Sequence, residues 1–236
     1  MSSYSLGQRA MYFGAAAIVR PFNMLLMRRD WQGQQNLPKS GMILAVNHIS
    51  EIDPLYIGHM IYSSGRIPHF LAKKELFGAP LIGKALYALQ QIPVDRAGRS
   101  IDSLEMAEEV LSQQGVIIIY PEGTTTKDPD MWPQIGRLGM IRLALSTGAP
   151  VIPVGQWGVH QTLPKGDKLP NVFPRRTSAI RIGTETDLDW IRQVDHPLPK
   201  DLATATEQVM SEITDLMVPL RQGTPPETRY NPAKHR

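Results

Sequence analysis

The sequence predicts a single α/β domain with a central, mostly parallel sheet flanked by helices, preceded by a pair of short N-terminal helices. Three observations carry this reading. Short apolar runs alternate with helical patterns through the middle of the chain, the arrangement that generates parallel sheets covered on both faces. The 236 residues suit one domain and its core. Neither internal repeats nor a second segment of comparable size interrupts the pattern.

Taken in order, the chain opens on an apolar run from Ala10 to Val19, closed by Arg20-Pro21, and a second apolar cluster follows from Phe22 to Met27. Neither reaches the roughly 20 residues a helix needs to cross a bilayer. Arg9, Arg20, Arg28 and Arg29 bracket the two clusters, as expected of a helical pair lying in the headgroup region of a membrane. Met42 to Val46, His69 to Ala72, Gln91 to Val94, Val116 to Tyr120 and Val151 to Gly155 read as buried strands, with a late strand at Ala179 to Gly183. Ser100 is placed to cap a helix that carries Ile101, Leu104, Ala107, Val110 and Leu111 on one side and ends before Gly115. Leu138, Ile141 and Leu145 repeat at helical spacing, with Gly148 as the stop. From Gln222 the Gly-Thr-Pro-Pro stretch reads as a mobile tail. The expected organisation is a membrane-surface motif over 1–30, the main domain over 31–218 and a flexible basic tail over 219–236.

Composition narrows the chemistry. With no cysteine, the chain has no disulfide, no thiolate metal site and no cysteine nucleophile, and it is compatible with a reducing cytoplasm. Its net charge of +3 is unevenly placed: residues 1–30 hold four arginines against Asp30. The tail holds Arg221, Arg229, Lys234 and Arg236 against Glu227, which leaves the middle acidic. A nucleic-acid stripe would cross the folded domain, so nucleic acid is excluded as a partner, while basic ends favour an anionic membrane surface. The expected location is peripheral, on the cytoplasmic face of the cell membrane.

Three segments leave strand ends that open on one edge of a parallel sheet: Asn47 to Asp53, Asp95 to Ser100 and Pro121 to Thr126. His48 and Asp53 are five residues apart, which would turn them away from each other inside a helix. A turn leaving the strand, with Asp53 as N-cap and Pro54 at the first helical position, instead folds the carboxylate onto the imidazole. Histidine is the natural base near neutral pH, and a carboxylate fixes its tautomer and stabilises the imidazolium. No Gly-x-Ser-x-Gly elbow occurs, so such a base would activate an external nucleophile, either water or a substrate hydroxyl. Arg96 and Arg99 sit in a tight loop before a helix N-terminus, where guanidinium and amide donors bind phosphate. Glu122, Gly123 and Thr124 place a carboxylate, a glycine and hydroxyl donors at the third strand end. Gly78 to Lys84 has phosphate-loop spacing, but Ala85 stands where Ser or Thr must bind magnesium, so nucleotide binding is rejected.

Together these blocks resemble the glycerolipid acyltransferase family typified by bacterial lysophosphatidic acid acyltransferase (1-acyl-sn-glycerol-3-phosphate acyltransferase). The Asn-His-x-Ser-x-x-Asp block corresponds to Asn47, His48, Ser50 and Asp53, and the second block to Ile92 through Arg96. The Phe-Pro-Glu-Gly-Thr-Arg block corresponds to Pro121 through Thr124 with Tyr120 in place of phenylalanine, and Val-Ile-Pro-Val is intact at 151–154. The resemblance spans roughly residues 40 to 185. It implies that His48 deprotonates the acceptor hydroxyl, that Asp53 orients His48, and that the alkoxide attacks an acyl thioester of coenzyme A or acyl carrier protein. The implied product is phosphatidic acid, made from a lysophospholipid acceptor in phospholipid biosynthesis. Asn47, Ser50, Arg96, Arg99, Glu122, Gly123 and Thr124 would form the substrate site, and the segment at Val151 would shape an acyl channel. No metal and no bound cofactor are implied, and the N-terminal helices would dock on the membrane. Lys73 and Lys74 are candidate helpers for a donor phosphate. Lys165, Lys168, Arg175 and Arg176 either receive the coenzyme's phosphates or form exposed loop. The family's arginine after Gly-Thr is Thr125 here; Lys127 or Arg99 are the candidates to supply its charge, and the alternatives to lysophosphatidic acid as acceptor are glycerol-3-phosphate or a glycolipid, ahead of a hydrolase or a non-catalytic lipid-binding module.

Overall fold

The computed structural model describes residues 4–94, 101–164, 167, 169–171, 173–221 and 223–234. Its frame is a seven-stranded sheet of β1 (Met27–Gln32), β2 (Met42–Val46), β3 (Pro68–Lys73), β4 (Ile92–Val94), β5 (Val116–Ile119), β6 (Val151–Trp157) and β7 (Arg176–Ile182). The order across the sheet is β1-β7-β6-β2-β5-β3-β4. Strands β2 to β6 run parallel, β7 is antiparallel to β6, and β1 is parallel to β7. Every residue of β2 and β5 is buried, as expected for central strands covered on both faces.

Strand alternation divides the core into two layers. Ile43, Ala45, Ile117, Ile119 and Val151 pack with α5 (Ile101–Ser112), α6 (Gly139–Thr147), α7 (Asp189–Arg192) and α8 (Pro199–Arg221). Met42, Leu44, Val46, Ile118, Ile152 and Val154 pack with Ile57, Met60 and Ile61 of α2 (Asp53–Ser63). The remaining helices are α1 (Leu6–Leu26), which packs on α2, and the short α3 (Lys74–Phe77) and α4 (Ile82–Ala88) between β3 and β4. Because β2, β5 and β6 are parallel neighbours in one register, the loops that follow them emerge at a single sheet edge.

Three features differ from the sequence reading. The expected N-terminal helical pair is one helix, α1, with Pro21 inside it. A mid-helix proline removes one backbone hydrogen bond. Contacts on both sides of it hold the helix together: Tyr12 donates to the carbonyls of Leu89 and Pro68, and Asn23 donates to Leu55 at 2.9 Å. Met27, read as part of the second cluster, starts β1, a margin strand whose polar sequence Arg-Arg-Asp-Trp-Gln hides it from periodicity; the boundary drawn at residue 30 falls inside it. The tail expected to be mobile begins as the last turn of α8 and then returns along it. Arg229 pairs with Glu207 at 2.6 Å and donates to Thr214, and Tyr230 accepts from the Ile135 amide. Among the described residues no helix is long and apolar enough to cross a membrane.

Candidate active site

The site is built on the turn that leaves β2. One oxygen of Asp53, Oδ2, accepts three hydrogen bonds: from His48 Nδ1 at 2.9 Å, from the Ile49 amide at 2.8 Å and from the Ser50 amide at 2.9 Å. The carboxylate therefore faces back into the turn. It does not serve as the N-cap of α2: the helix starts at Asp53 itself, with Ile52 in the cap position. Asp53 is 0% exposed, and the His48 side chain keeps 16% of its surface accessible. A buried carboxylate opposite Nδ1 makes that nitrogen the donor, so the lone pair of the neutral ring lies on Nε2. Nε2 has no partner among the described residues. The ring stacks on Tyr120 with centroids 4.2 Å apart and planes 20° from parallel, so the tyrosine that replaces phenylalanine acts as a shelf for the imidazole.

The loops after β5 and β6 brace this turn from either side. Glu122 is buried, and its oxygens accept from the His48 amide at 2.8 Å and the Gln134 amide at 3.1 Å. Burial pushes its carboxyl up to about 8, against the pull of those two amides. The Thr126 amide donates to the His48 carbonyl at 2.7 Å. On the other flank, Asn47 and Gln156 form a reciprocal pair. Asn47 Nδ2 donates to the Gln156 carbonyl at 3.1 Å, its Oδ1 accepts from the Gln156 amide at 2.7 Å, and Gln156 Nε2 donates to the Asn47 carbonyl at 2.8 Å. Ser50 Oγ donates to the Leu163 carbonyl at 3.1 Å. Asn47, Ser50 and Glu122 thus spend their polar atoms on main chain, and their visible action is to hold the His48 turn in place. Ser50 is buried and points at Leu163, so it offers no nucleophile to His48.

Gly123 and Thr124, also expected in the substrate site, are half-buried in the loop after β5. Gly123 has φ of +71°, which favours glycine, and a Cβ on it would lie 2.6 Å from Arg137 Nε. The exposed Arg137 therefore lies across Gly123, tied at its amide to the Pro121 carbonyl at 2.8 Å. Among the described residues its guanidinium has no acidic partner within ion-pairing range. Sequence reading passed over Arg137 because it is twelve positions beyond Thr125; an unpaired arginine just before the apolar helix α6 was the available signal. Lys127 is exposed. The segment Asp95 to Ser100, with Arg96 and Arg99, lies outside the described residues, as do Lys165 and Lys168. Arg175 instead donates to the carbonyls of Met24 and Met27, where a cation suits the end of α1.

Among the described residues the arrangement presents a lone-pair nitrogen backed by a buried carboxylate, with no serine or cysteine bonded to it, and a guanidinium without an acidic partner lying across Gly123. Residues 28–157 match the family model described as Acyltransferase. A chloroplastic 1-acyl-sn-glycerol-3-phosphate acyltransferase of Brassica napus is 29% identical over 145 residues, covering 60% of this chain and 40% of its own length. A 1-acyl-sn-glycerol-3-phosphate acyltransferase of Bacillus subtilis is 28% identical over 191 residues, covering 78% of this chain and 85% of its own. The chain thus spans well under half the length of the plant relative but most of the bacterial one. The crystal structure of the 1-acyl-sn-glycerophosphate acyltransferase from Thermotoga maritima superposes with a TM-score of 0.70 at 23% identity, covering 93% of this chain and 83% of that one, and so shares the fold. With the match running from β1 through β6 and enclosing the His48 turn and both loops that brace it, the chain belongs to the acyltransferase family.

Proposed function

We propose that this chain transfers a fatty acyl group from an acyl thioester to the free hydroxyl of lysophosphatidic acid, giving phosphatidic acid. The observation that carries the reading is the His48–Asp53 pair: a buried carboxylate holds Nδ1, the ring keeps part of its surface accessible, and among the described residues no nucleophile is bonded to Nε2. His48 Nε2 takes the proton of the acceptor hydroxyl as its oxygen attacks the thioester carbonyl. Asp53 stabilises the imidazolium, and the tetrahedral intermediate collapses by breaking the C–S bond. The departing thiolate takes the proton back from Nε2, so the base is restored. The thioester belongs to coenzyme A or acyl carrier protein and is a substrate; no resident cofactor takes part.

Asn47, Ser50 and Glu122 position the His48 turn, while Gly123, Thr124, Arg96, Arg99 and Arg137 receive the acceptor phosphate. Arg137 offers the fork that the family arginine supplies at the position of Thr125. The activity for which the Brassica napus and Bacillus subtilis relatives are named supports this acceptor. The exposed apolar side chains of α1, including Leu6, Phe13, Ile18 and Leu25, with Arg9 and Arg20 beside them, support seating of that helix on a membrane, and we propose that the face is the cytoplasmic one. The test is an acceptor panel of lysophosphatidic acid, glycerol-3-phosphate and monoacylglycerol with one acyl-coenzyme A, read by product analysis for the full chain and His48→Ala. Phosphatidic acid as the main product, lost in the variant, is expected. Free fatty acid as the main product would make the chain a hydrolase, and full activity of His48→Ala would sink the mechanism.

A further inference from the structure

Helices α3 and α4 fold into a tight hairpin between β3 and β4, and the stretch Gly78 to Lys84 that mimics a phosphate loop is its bend. A Cβ on Gly83 would lie 2.1 Å from the Phe77 carbonyl oxygen, so the two helices approach more closely than any other residue at 83 allows. Phe77 is buried, and its ring meets Tyr87 edge-on at 4.9 Å. The outer surface of the hairpin is apolar: Leu81 is 84% exposed, Ile82 56%, Tyr87 64%, and Leu76 is exposed beside them. Exposed Lys73, Lys74 and Lys84 surround this patch against the single acid Glu75. Single exposed aliphatics are ordinary, but an adjacent pair at a stiff bend, ringed by lysines, is the composition of a surface that meets lipid.

Its placement points the same way. Right-handed crossovers put α2 and the hairpin on the same face of the sheet, and α1 packs on α2 as an outer layer. Tyr12 of α1 donates to the carbonyl of Leu89 at the end of α4, so the exposed apolar side chains of α1 and of the hairpin belong to touching elements. Helix α3 begins where β3 ends, on the edge that carries the His48 turn.

We propose that the α3–α4 hairpin is a second membrane-inserting element: Leu81 and Ile82 enter the acyl boundary while Lys73, Lys74 and Lys84 meet anionic headgroups. The inference rests on the reading of the chain as a lipid-acylating enzyme docked through α1. One helix lying on a bilayer leaves the protein free to roll about it. A second contact removes that freedom and turns the His48 edge toward the layer from which the acceptor comes.

Because the chain has no cysteine, Leu81→Cys carries one environment-sensitive fluorophore, with Leu104→Cys on α5 as the reference on the other face. On vesicles of phosphatidylglycerol and phosphatidylethanolamine, the label at 81 shifts to the blue and is quenched by brominated acyl chains, while the label at 104 does neither. The double variant Leu81→Gln/Ile82→Gln loses about tenfold or more in vesicle affinity, since two buried aliphatic side chains contribute at least that much. Its turnover of a short-chain, water-soluble lysophosphatidic acid stays within about twofold of wild type, which shows that the fold and site survive. A label at 81 that stays water-like on bound protein, or an unchanged vesicle affinity in the double variant, overturns the inference. Should Phe13→Gln/Ile18→Gln lose vesicle binding while Leu81→Gln/Ile82→Gln binds as wild type, the hairpin falls and docking through α1 stands. Wild-type chain that binds vesicles through residue 81 without transferring acyl groups refutes the functional reading and supports the hairpin.

Discussion

Replacing Asp53 with asparagine separates the charge of this side chain from its shape. The amide oxygen can occupy the place of Oδ2 and keep accepting from the amides of Ile49 and Ser50, now at 2.8 and 2.9 Å, so the turn persists. What disappears is the negative charge 2.9 Å from His48 Nδ1. A hydrogen bond to a charged group contributes about 1.5–3 kcal/mol and a neutral one about 1 kcal/mol. The imidazolium formed during proton transfer therefore loses about 0.5–2 kcal/mol, a slowing of roughly two- to thirtyfold. Should the amide nitrogen face Nδ1 instead, the tautomer reverses, Nε2 carries the proton, and the whole general-base contribution of about 10²–10⁴-fold is lost. The assay is the initial rate of coenzyme A release with lysophosphatidic acid as acceptor, over a range of acceptor concentration, beside His48→Ala and thermal unfolding of each variant. The expected result is a fall in kcat of at least about twofold with KM for the acceptor little changed and Tm close to wild type. If Asp53→Asn turns over as fast as wild type while His48→Ala is inactive, the carboxylate only staples the turn and the argument from charge is refuted.

Three further outcomes follow from the same geometry. Arg137→Ala removes the guanidinium lying across Gly123 and should raise KM for lysophosphatidic acid by about tenfold or more, with little change for an unphosphorylated monoacylglycerol; equal effects on both acceptors would remove Arg137 from the phosphate site. Glu122, raised by burial from 4.5 to about 8, holds its proton in the folded chain over a range where the unfolded chain has lost it. Stability should therefore fall as pH rises from about 4.5 to 8, and Glu122→Gln should flatten that slope in a pH series of denaturant melts; an unchanged slope contradicts the raised value. The Arg221 guanidinium sits over the ring of Trp132 at 3.8 Å and near that of Trp157 at 4.9 Å, tying the end of α8 to the loop after β5 and to β6. Arg221→Leu should cost about 1–2 kcal/mol and lower Tm by a few degrees, with Arg221→Lys recovering part of it; a Tm unchanged in Arg221→Leu would show that the stacked cation contributes nothing net.

Much of this molecule is written locally. The all-apolar runs at Met42 to Val46 and Val116 to Ile119 identify central strands because only strands covered on both faces tolerate such runs. The five-residue interval from His48 to Asp53, closed by Pro54, specifies a turn whose carboxylate reaches back to the imidazole. The absence of cysteine and of a serine elbow leaves that base to act on something outside the protein. Other parts were illegible for a physical reason. After Met27 the segment Arg-Arg-Asp-Trp-Gln is mostly polar and carries no strand signal, and residues 27–32 become a strand by pairing with the edge of β7. Pro21 marks a break by its own chemistry, and tertiary hydrogen bonds at Tyr12 and Asn23 override it. Asn47 meets Gln156 across 109 positions, and Glu122 meets the His48 amide across 74, because β2 lies between β5 and β6 in one register. Periodicity and spacing report interactions within a few residues, so the sequence by itself determined the apolar strands and the His48–Asp53 turn. Which buried groups brace that turn, which arginine stands over Gly123 and which apolar surfaces share a face are set by strand order and register, and only the tertiary structure decided them.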